Sequence, residues 1–246
     1  MDKIIVDNVF KRFKIGRKNQ SALARILSLF SGRELRRKFF ALKGVSLNVK
    51  KGEVLGIVGR NGSGKSTLLK TMARIYKEDG GNIKYKGNLM ILSGLNNGMV
   101  RRLSALDNIC LVGSILGLGR RDIRKIINPV LEFAGLEEHL NTKLFQFSTG
   151  MLSRLAFSLI ANCIDYKKPD ILLLDEVFVS GNDLEFQKKA FNKINELIRK
   201  GVTILMVSHN VRIIKKFCKR VVWMEDGKIK EVGKTKEIMK KYERSI

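Results

Sequence analysis

Val54-Leu55-Gly56-Ile57-Val58-Gly59-Arg60-Asn61-Gly62-Ser63-Gly64-Lys65-Ser66 is the stretch from which the rest of this 246-residue chain is read. Its last eight residues fit the phosphate-loop pattern G-x-x-x-x-G-K-[ST]. Val54 to Val58 reads as a short buried strand, and Thr67 to Tyr76 reads as a helix. Glycines let successive backbone N–H groups turn inward around an anion, and the helix N-terminus adds partial positive charge. Arg60, Asn61 and Ser63 fill the variable positions between the glycines, and Thr67 follows the loop into the helix. Lys65 is expected to reach β- and γ-phosphates, with the Ser66 hydroxyl on Mg²⁺. A Gly-rich strand-to-helix turn without a ligand is the bland alternative, and the flanking pattern speaks against it.

Composition bounds the remaining choices. The length allows one large α/β domain or two small ones. No run approaches 18 apolar residues, so no bilayer span is expected, and Met1 to Val6 turns polar too soon for a signal peptide. Cys110, Cys163 and Cys218 are scattered, which suits a reduced cytosolic compartment and offers no metal-site spacing. The formal charge is +25. Such a charge fits a polyanionic neighbour, nucleic acid or an anionic lipid surface, or a bias of composition alone. Residues 1–50 hold 13 Lys/Arg against 3 Asp/Glu, so the excess is strong at the N-terminus.

Outward from the loop, Ile4 to Phe13 and Leu42 to Val49 read as strands. Between them lies an unusual segment, 16–40. Ser21 can cap a helix there, with Leu23, Ile26, Leu27 and Phe30 on one face and Arg33, Arg36, Arg37 and Lys38 beyond it. A basic amphipathic segment of this kind lies on an anionic membrane surface or docks on a partner helix; an ordinary core-packing helix fits equally well. After the first helix, residues 82–85 and 88–92 read as a strand pair, and Ser93 to Gly98 as a loop. Residues 104 to about 165 read as mostly helical, punctuated by Pro129, Gly135 and Phe147-Ser148-Thr149-Gly150. Then strands and helices alternate: strand 171–174, helix 184–200, strand 202–207, helix 211–218, a hairpin through Asp226-Gly227, and a basic helix 235–242. The order implies a mainly parallel sheet with ligands at the carboxyl ends of its strands.

Three further features carry chemistry. Asp175-Glu176 ends a buried strand: one carboxylate suits Mg²⁺, and the adjacent one suits the attacking water. Neighbours on a strand point oppositely, so two roles are expected of them. His209 follows the next buried strand and can donate to a γ-phosphate, whereas His139 has no such context and is expected to be exposed. Ser148 and Gly150 precede a helix and make a second anion site.

These elements, in this order, resemble the ATP-binding cassette family. Gly59 to Ser66 resembles its phosphate loop. Ser148-Thr149-Gly150-Met151 with Arg154-Leu155-Ala156 resembles its signature motif, Asp175-Glu176 its second acidic motif, and His209 its switch histidine. The chain is most similar to ATPase subunits that power export of polysaccharides and teichoic acids, on Ser148-Thr149-Gly150-Met151, on Asp175-Glu176-Val177 followed by Glu185 to Lys189, and on the 16–40 insertion. The resemblance implies an α/β phosphate-loop ATPase with an antiparallel β region and a helical signature subdomain, a single cassette spanning residues 1–246. It implies ATP and Mg²⁺, and a homodimer that sandwiches two ATP molecules, with Ser148 and Gly150 of one copy against the γ-phosphate held by Lys65 of the other. It also implies two copies of a separate membrane permease and a peripheral place on the cytoplasmic face of the cell membrane. Glu176 would orient the hydrolytic water, His209 would sense the γ-phosphate, and Phe13 would stack on adenine, unless it serves only as core.

The chain departs from the family in places. Gly94-Leu95-Asn96-Asn97 lacks the Gln or Glu expected to contact Mg²⁺, which Asn96 or Asn97 would replace. The stretch 177–183 is one residue longer than the family's, leaving Asn182 or Asp183 for the cross-dimer aspartate. An ATPase for a lipid or drug cargo is a rival reading. A soluble nucleic-acid-associated cassette is another; a single cassette without heptads argues against nucleic acid as the partner.

Overall fold

The computed structural model describes residues 1–15, 37–94, 98–177 and 184–245. The amphipathic reading of 21–30 and Arg33 and Arg36, the candidates Asn96 and Asn97, and the candidates Asn182 and Asp183 therefore lie outside the described residues.

Nine strands form two sheets among these residues. The first is antiparallel, in the order β2 (Arg37–Lys50), β1 (Asp2–Ile15), β4 (Gly80–Tyr85). The second has six strands in the order β5 (Leu89–Ser93), β6 (Ile171–Asp175), β7 (Thr203–Val207), β3 (Val54–Val58), β8 (Arg220–Glu225), β9 (Lys228–Lys234). All its pairings are parallel except the β8–β9 hairpin. That hairpin turns through Asp226 and Gly227, both at positive φ (48° and 80°), as a tight turn between right-twisted strands requires. The fold is the α/β architecture expected from the alternation of elements.

Strand alternation divides the core into two layers. Leu55, Ile57, Ile171, Leu173, Leu205, Val207, Val222 and Met224 face the antiparallel sheet and α1 (Lys65–Met72). Their neighbours Val54, Val58, Leu172, Leu174, Ile204, Met206, Val221 and Trp223 face α5 (Leu184–Arg199), α6 (Val211–Phe217) and α7 (Thr235–Glu243). Both faces are apolar because both are covered, which is why these strands read as unbroken apolar runs. A third core joins α2 (Ala105–Ile115), α3 (Arg120–Ala134) and α4 (Thr149–Lys167).

Several sequence expectations need correction. Residues 82–85 and 88–92 do form strands, but β4 pairs with β1 and β5 with β6, so they belong to different sheets. The 16–40 segment is too long at its end: residues 37–40 are the start of β2, paired with Arg12 to Ile15. Pro129 lies inside α3. The buried face of that helix, with Ile126, Val130 and Ala134, outweighs the roughly 3 kcal/mol that an interior proline costs. Helix α1 starts at Lys65 and stops at Met72, four residues early, because Arg74 turns left-handed (φ 59°). His139 is half-buried, its ring 5.7 Å from that of Phe147.

Candidate functional site

The phosphate loop joins the end of β3 to α1, and its shape is set by what surrounds it. Gly64 has φ 101°, and a Cβ there would lie 2.6 Å from the Ala41 carbonyl oxygen of β2. A Cβ at Gly59 would lie 2.2 Å from the Met224 carbonyl oxygen of β8. Glycine is required at both because backbone from other strands presses on the loop. Gly227 ties the same region together: its N–H donates to the Ser63 carbonyl at 3.1 Å, and its own carbonyl accepts from Lys43 N–H at 2.8 Å.

Lys65 is 6% exposed. Its ammonium donates to the carbonyls of Gly59 (2.7 Å) and Arg60 (2.9 Å), which leaves the third of its donors for a ligand. Burial lowers its pKa from the ordinary value, and the carboxylates of Glu176 and Asp175 oppose that shift. The Ser66 hydroxyl donates to Asp175 Oδ1 at 3.0 Å, and the Ser93 hydroxyl donates to Oδ2 at 3.0 Å. Asp175 is thus buried and held by one hydroxyl from the loop helix and one from the end of β5.

Glu176 follows β6 in the left-handed region, at φ 57°, with its N–H donating to the Val207 carbonyl at 3.0 Å. Beyond the strand's last residue, the alternation expected to part Asp175 from Glu176 no longer applies, and both carboxylates act on Lys65. Glu176 Oε1 lies 2.7 Å from His209 Nε2, just beyond the end of β7. A left-handed non-glycine residue costs about 1–2 kcal/mol, and here it delivers a carboxylate to the mouth of a cleft.

That cleft encloses about 280 Å³ and is lined by Phe13, Phe39, Ala41, Asn61, Gly62, Gly64, Lys65, Ser66, Thr67 and Glu176. It unites most of the residues singled out from the sequence. Gly59 and Arg60 contribute carbonyls behind Lys65, while the Arg60 side chain turns away and donates to the Ser245 carbonyl at 2.6 Å. Ser63 is buried, and its hydroxyl has no partner. Ser148 and Gly150 are exposed and do not line the cleft; the Ser148 hydroxyl caps α4 by accepting from Met151 N–H at 3.2 Å. Phe39, Ala41 and Ser93 were missed. The first two carried a signal, since Phe39 to Leu42 continue the apolar run of the second strand.

The group these residues fit is a polyphosphate with a hard cation. A spare ammonium donor (Lys65) and a glycine-rich loop that leads into the N-terminus of α1 suit phosphate oxygens. The oxygen donors Ser66 and Asp175 suit magnesium, which takes few protein ligands beside phosphate and water. Among the described residues, no group of three or more His, Cys, Asp or Glu side chains is arranged to hold a metal without such help.

The family described as ABC transporter matches residues 42–179, more than half of the chain. This chain belongs to the ABC transporter ATPase family. The cassette is 37% identical over 210 residues to the O-antigen export system ATP-binding protein RfbB of Klebsiella pneumoniae, covering 85% of this chain and 83% of that one. It is also 37% identical over 240 residues to the teichoic acids export ATP-binding protein TagH of Lactiplantibacillus plantarum, covering 98% of this chain and 64% of that one. In fold, the cassette resembles a dimeric post-hydrolysis structure of the ATP-binding cassette MJ0796 bound to ADP and Pi, with a TM-score of 0.71 at 24% identity, over 94% of this chain and 98% of that chain. The cassette is accordingly an ATP hydrolase with a nucleotide site.

Proposed function

We propose that this chain is the ATP-hydrolysing subunit of an exporter of polysaccharide, O-antigen or teichoic-acid-type polymer, working through a separate membrane permease. The export reading rests on the roles for which the Klebsiella and Lactiplantibacillus relatives are named. The hydrolase reading rests on one observation above all: the Ser66–Asp175 and Glu176–His209 pairs meet at the cleft that holds Lys65.

In this reading, loop amides from Gly62 to Thr67 and the Lys65 ammonium hold the β- and γ-phosphates. Ser66 and Asp175 would hold magnesium, which would supply neutralisation of phosphate charge. Glu176 orients the attacking water in line with the γ-phosphorus, and His209, bonded to Glu176, keeps that carboxylate aimed and meets the γ-phosphate. Phosphoryl transfer needs mainly positioning and charge stabilisation, and these side chains supply both. Ser148 and Gly150 lie outside the cleft of their own copy. They serve a second copy, closing on its γ-phosphate when two cassettes face each other. The chain works as one cassette, with α2 to α4 as the part that carries the signature residues. No described helix is long and apolar enough to cross a membrane. The roles named for the relatives support assigning the transport path to a permease, with the cassette peripheral on its cytoplasmic side.

The test is Glu176→Gln. Glu176 and His209 are each about half-exposed, 49% and 50%, so their pairing contributes roughly 0–1 kcal/mol and the variant should fold. ATP binding is expected to persist while hydrolysis falls by about 10²–10⁴-fold. Undiminished hydrolysis would remove Glu176 from its role.

A further inference from the structure

We propose that Phe39 is a second base-stacking residue, forming with Phe13 a two-ring platform for the nucleotide's base. The inference rests on the nucleotide reading of the cleft and extends it to a residue on another strand.

Phe39 and Phe13 are directly paired across the antiparallel β1–β2 ladder. Residues paired in this way put their side chains on the same face, with Cβ atoms about 5 Å apart. Both rings line the cleft that holds Asn61, Gly62, Lys65 and Ser66. Phe13 is braced from outside: its ring meets Tyr76 edge-on at 5.2 Å and 79°, and Lys11 Nζ lies 5.5 Å from its centroid. Phe39 differs, being 47% exposed beside that braced ring. An apolar ring held open to a polar cleft loses favourable burial unless a flat ligand covers it.

The position of Phe39 relative to the phosphate loop is fixed. The β1–β2 register steps from Arg12↔Phe40 to Lys11↔Leu42, so Ala41 is the extra residue of a bulge. Bulges re-aim side chains beside functional sites. The Ala41 carbonyl oxygen abuts both Gly64 and Gly227, where added Cβ atoms would come within 2.6 and 2.8 Å. Phe39 is two residues from that contact, roughly 7 Å along the strand. That spacing leaves room for a sugar between a base on the rings and phosphates on the loop. Phe40, the next residue, points to the other face and does not line the cleft.

The experiment measures binding of MgATP and of inorganic tripolyphosphate, which has no base, to the parent protein and to Phe39→Ala, Phe39→Trp and Phe40→Ala. Stacking on an aromatic ring carries enough energy that Phe39→Ala should weaken MgATP by about tenfold, with tripolyphosphate unchanged. Phe39→Trp should restore MgATP affinity, and its indole emission should respond to MgATP and not to tripolyphosphate. Phe40→Ala, also exposed, should match the parent for both. Equal loss of both ligands in Phe39→Ala, or no loss of either, overturns the platform. Failure of the parent to bind either ligand overturns the nucleotide reading itself, and the platform with it.

Discussion

Two glycines of the phosphate loop differ in one respect that can be measured. Gly62 has φ 81° and Gly64 has φ 101°, so alanine is strained at both. A Cβ at Gly62 would meet nothing within 4 Å, whereas one at Gly64 would lie 2.6 Å from the Ala41 carbonyl oxygen. For Gly62→Ala only the backbone term applies: about 1–2 kcal/mol for a left-handed alanine, less up to about 1 kcal/mol gained from a stiffer unfolded chain. The expected loss is about 1 kcal/mol. For Gly64→Ala, β2 or the loop must also retreat by about 0.8 Å to reach ordinary contact, and overpacking of this kind costs about 1–3 kcal/mol. The expected loss is therefore about 2–4 kcal/mol. At about 2–4 °C per kcal/mol for a chain of this size, the two variants should melt about 3 °C and about 10 °C below the parent. Thermal unfolding followed by circular dichroism, with urea titration at 25 °C as a check, reads both. Equal losses in the two variants would refute the argument that β2 braces the loop.

Other outcomes follow from groups outside the cleft. Asp79 accepts from Arg12 N–H at 2.8 Å and pairs with Lys11 at 3.1 Å, and these contacts, the Arg12 N–H first, hold its carboxyl below the ordinary 3.8. A depressed carboxyl contributes stability above its unfolded pKa and loses it as pH falls through the folded value. Asp79→Asn should thus be less stable than the parent at pH 7, and urea titrations at falling pH should show the gap closing below about pH 4. Asn108, fully buried in α2, accepts from Val100 N–H at 2.7 Å and donates to the Val100 and Ser104 carbonyls at 3.1 and 2.8 Å. Asn108→Ala would leave the Val100 N–H without its acceptor and should lower urea-unfolding stability by roughly 2–4 kcal/mol.

The sequence made the parallel sheet legible because its strands are covered on both faces. Runs such as Ile171 to Leu174 and Ile204 to Val207 are apolar throughout and short, and chemical residues follow each. The phosphate loop was legible because glycine spacing and lysine follow from anion capture. The left-handed turn at Glu176 was not, since the contact of its N–H with Val207 forms only once β6 and β7 are side by side. The separate sheets of β4 and β5 were hidden for a like reason: partner choice is long-range, and β4 finds β1 some 75 residues back. Phe39 was masked by the charged residues before it, whose reading as one insertion ran into the strand. Gly227 read as a hairpin residue; its bond to the Ser63 carbonyl is visible only in three dimensions.

The central claim is that one cassette holds the phosphates with Lys65 while Ser148 of a second copy completes the site. Sedimentation velocity of the Glu176→Gln protein, with and without saturating MgATP, tests it most directly. Dimers with MgATP, monomers without it, and no dimers in a Glu176→Gln/Ser148→Arg double variant that still binds ATP are the predicted results. A Glu176→Gln protein that binds MgATP and stays monomeric, or a double variant that dimerises as well as the single one, would contradict the account.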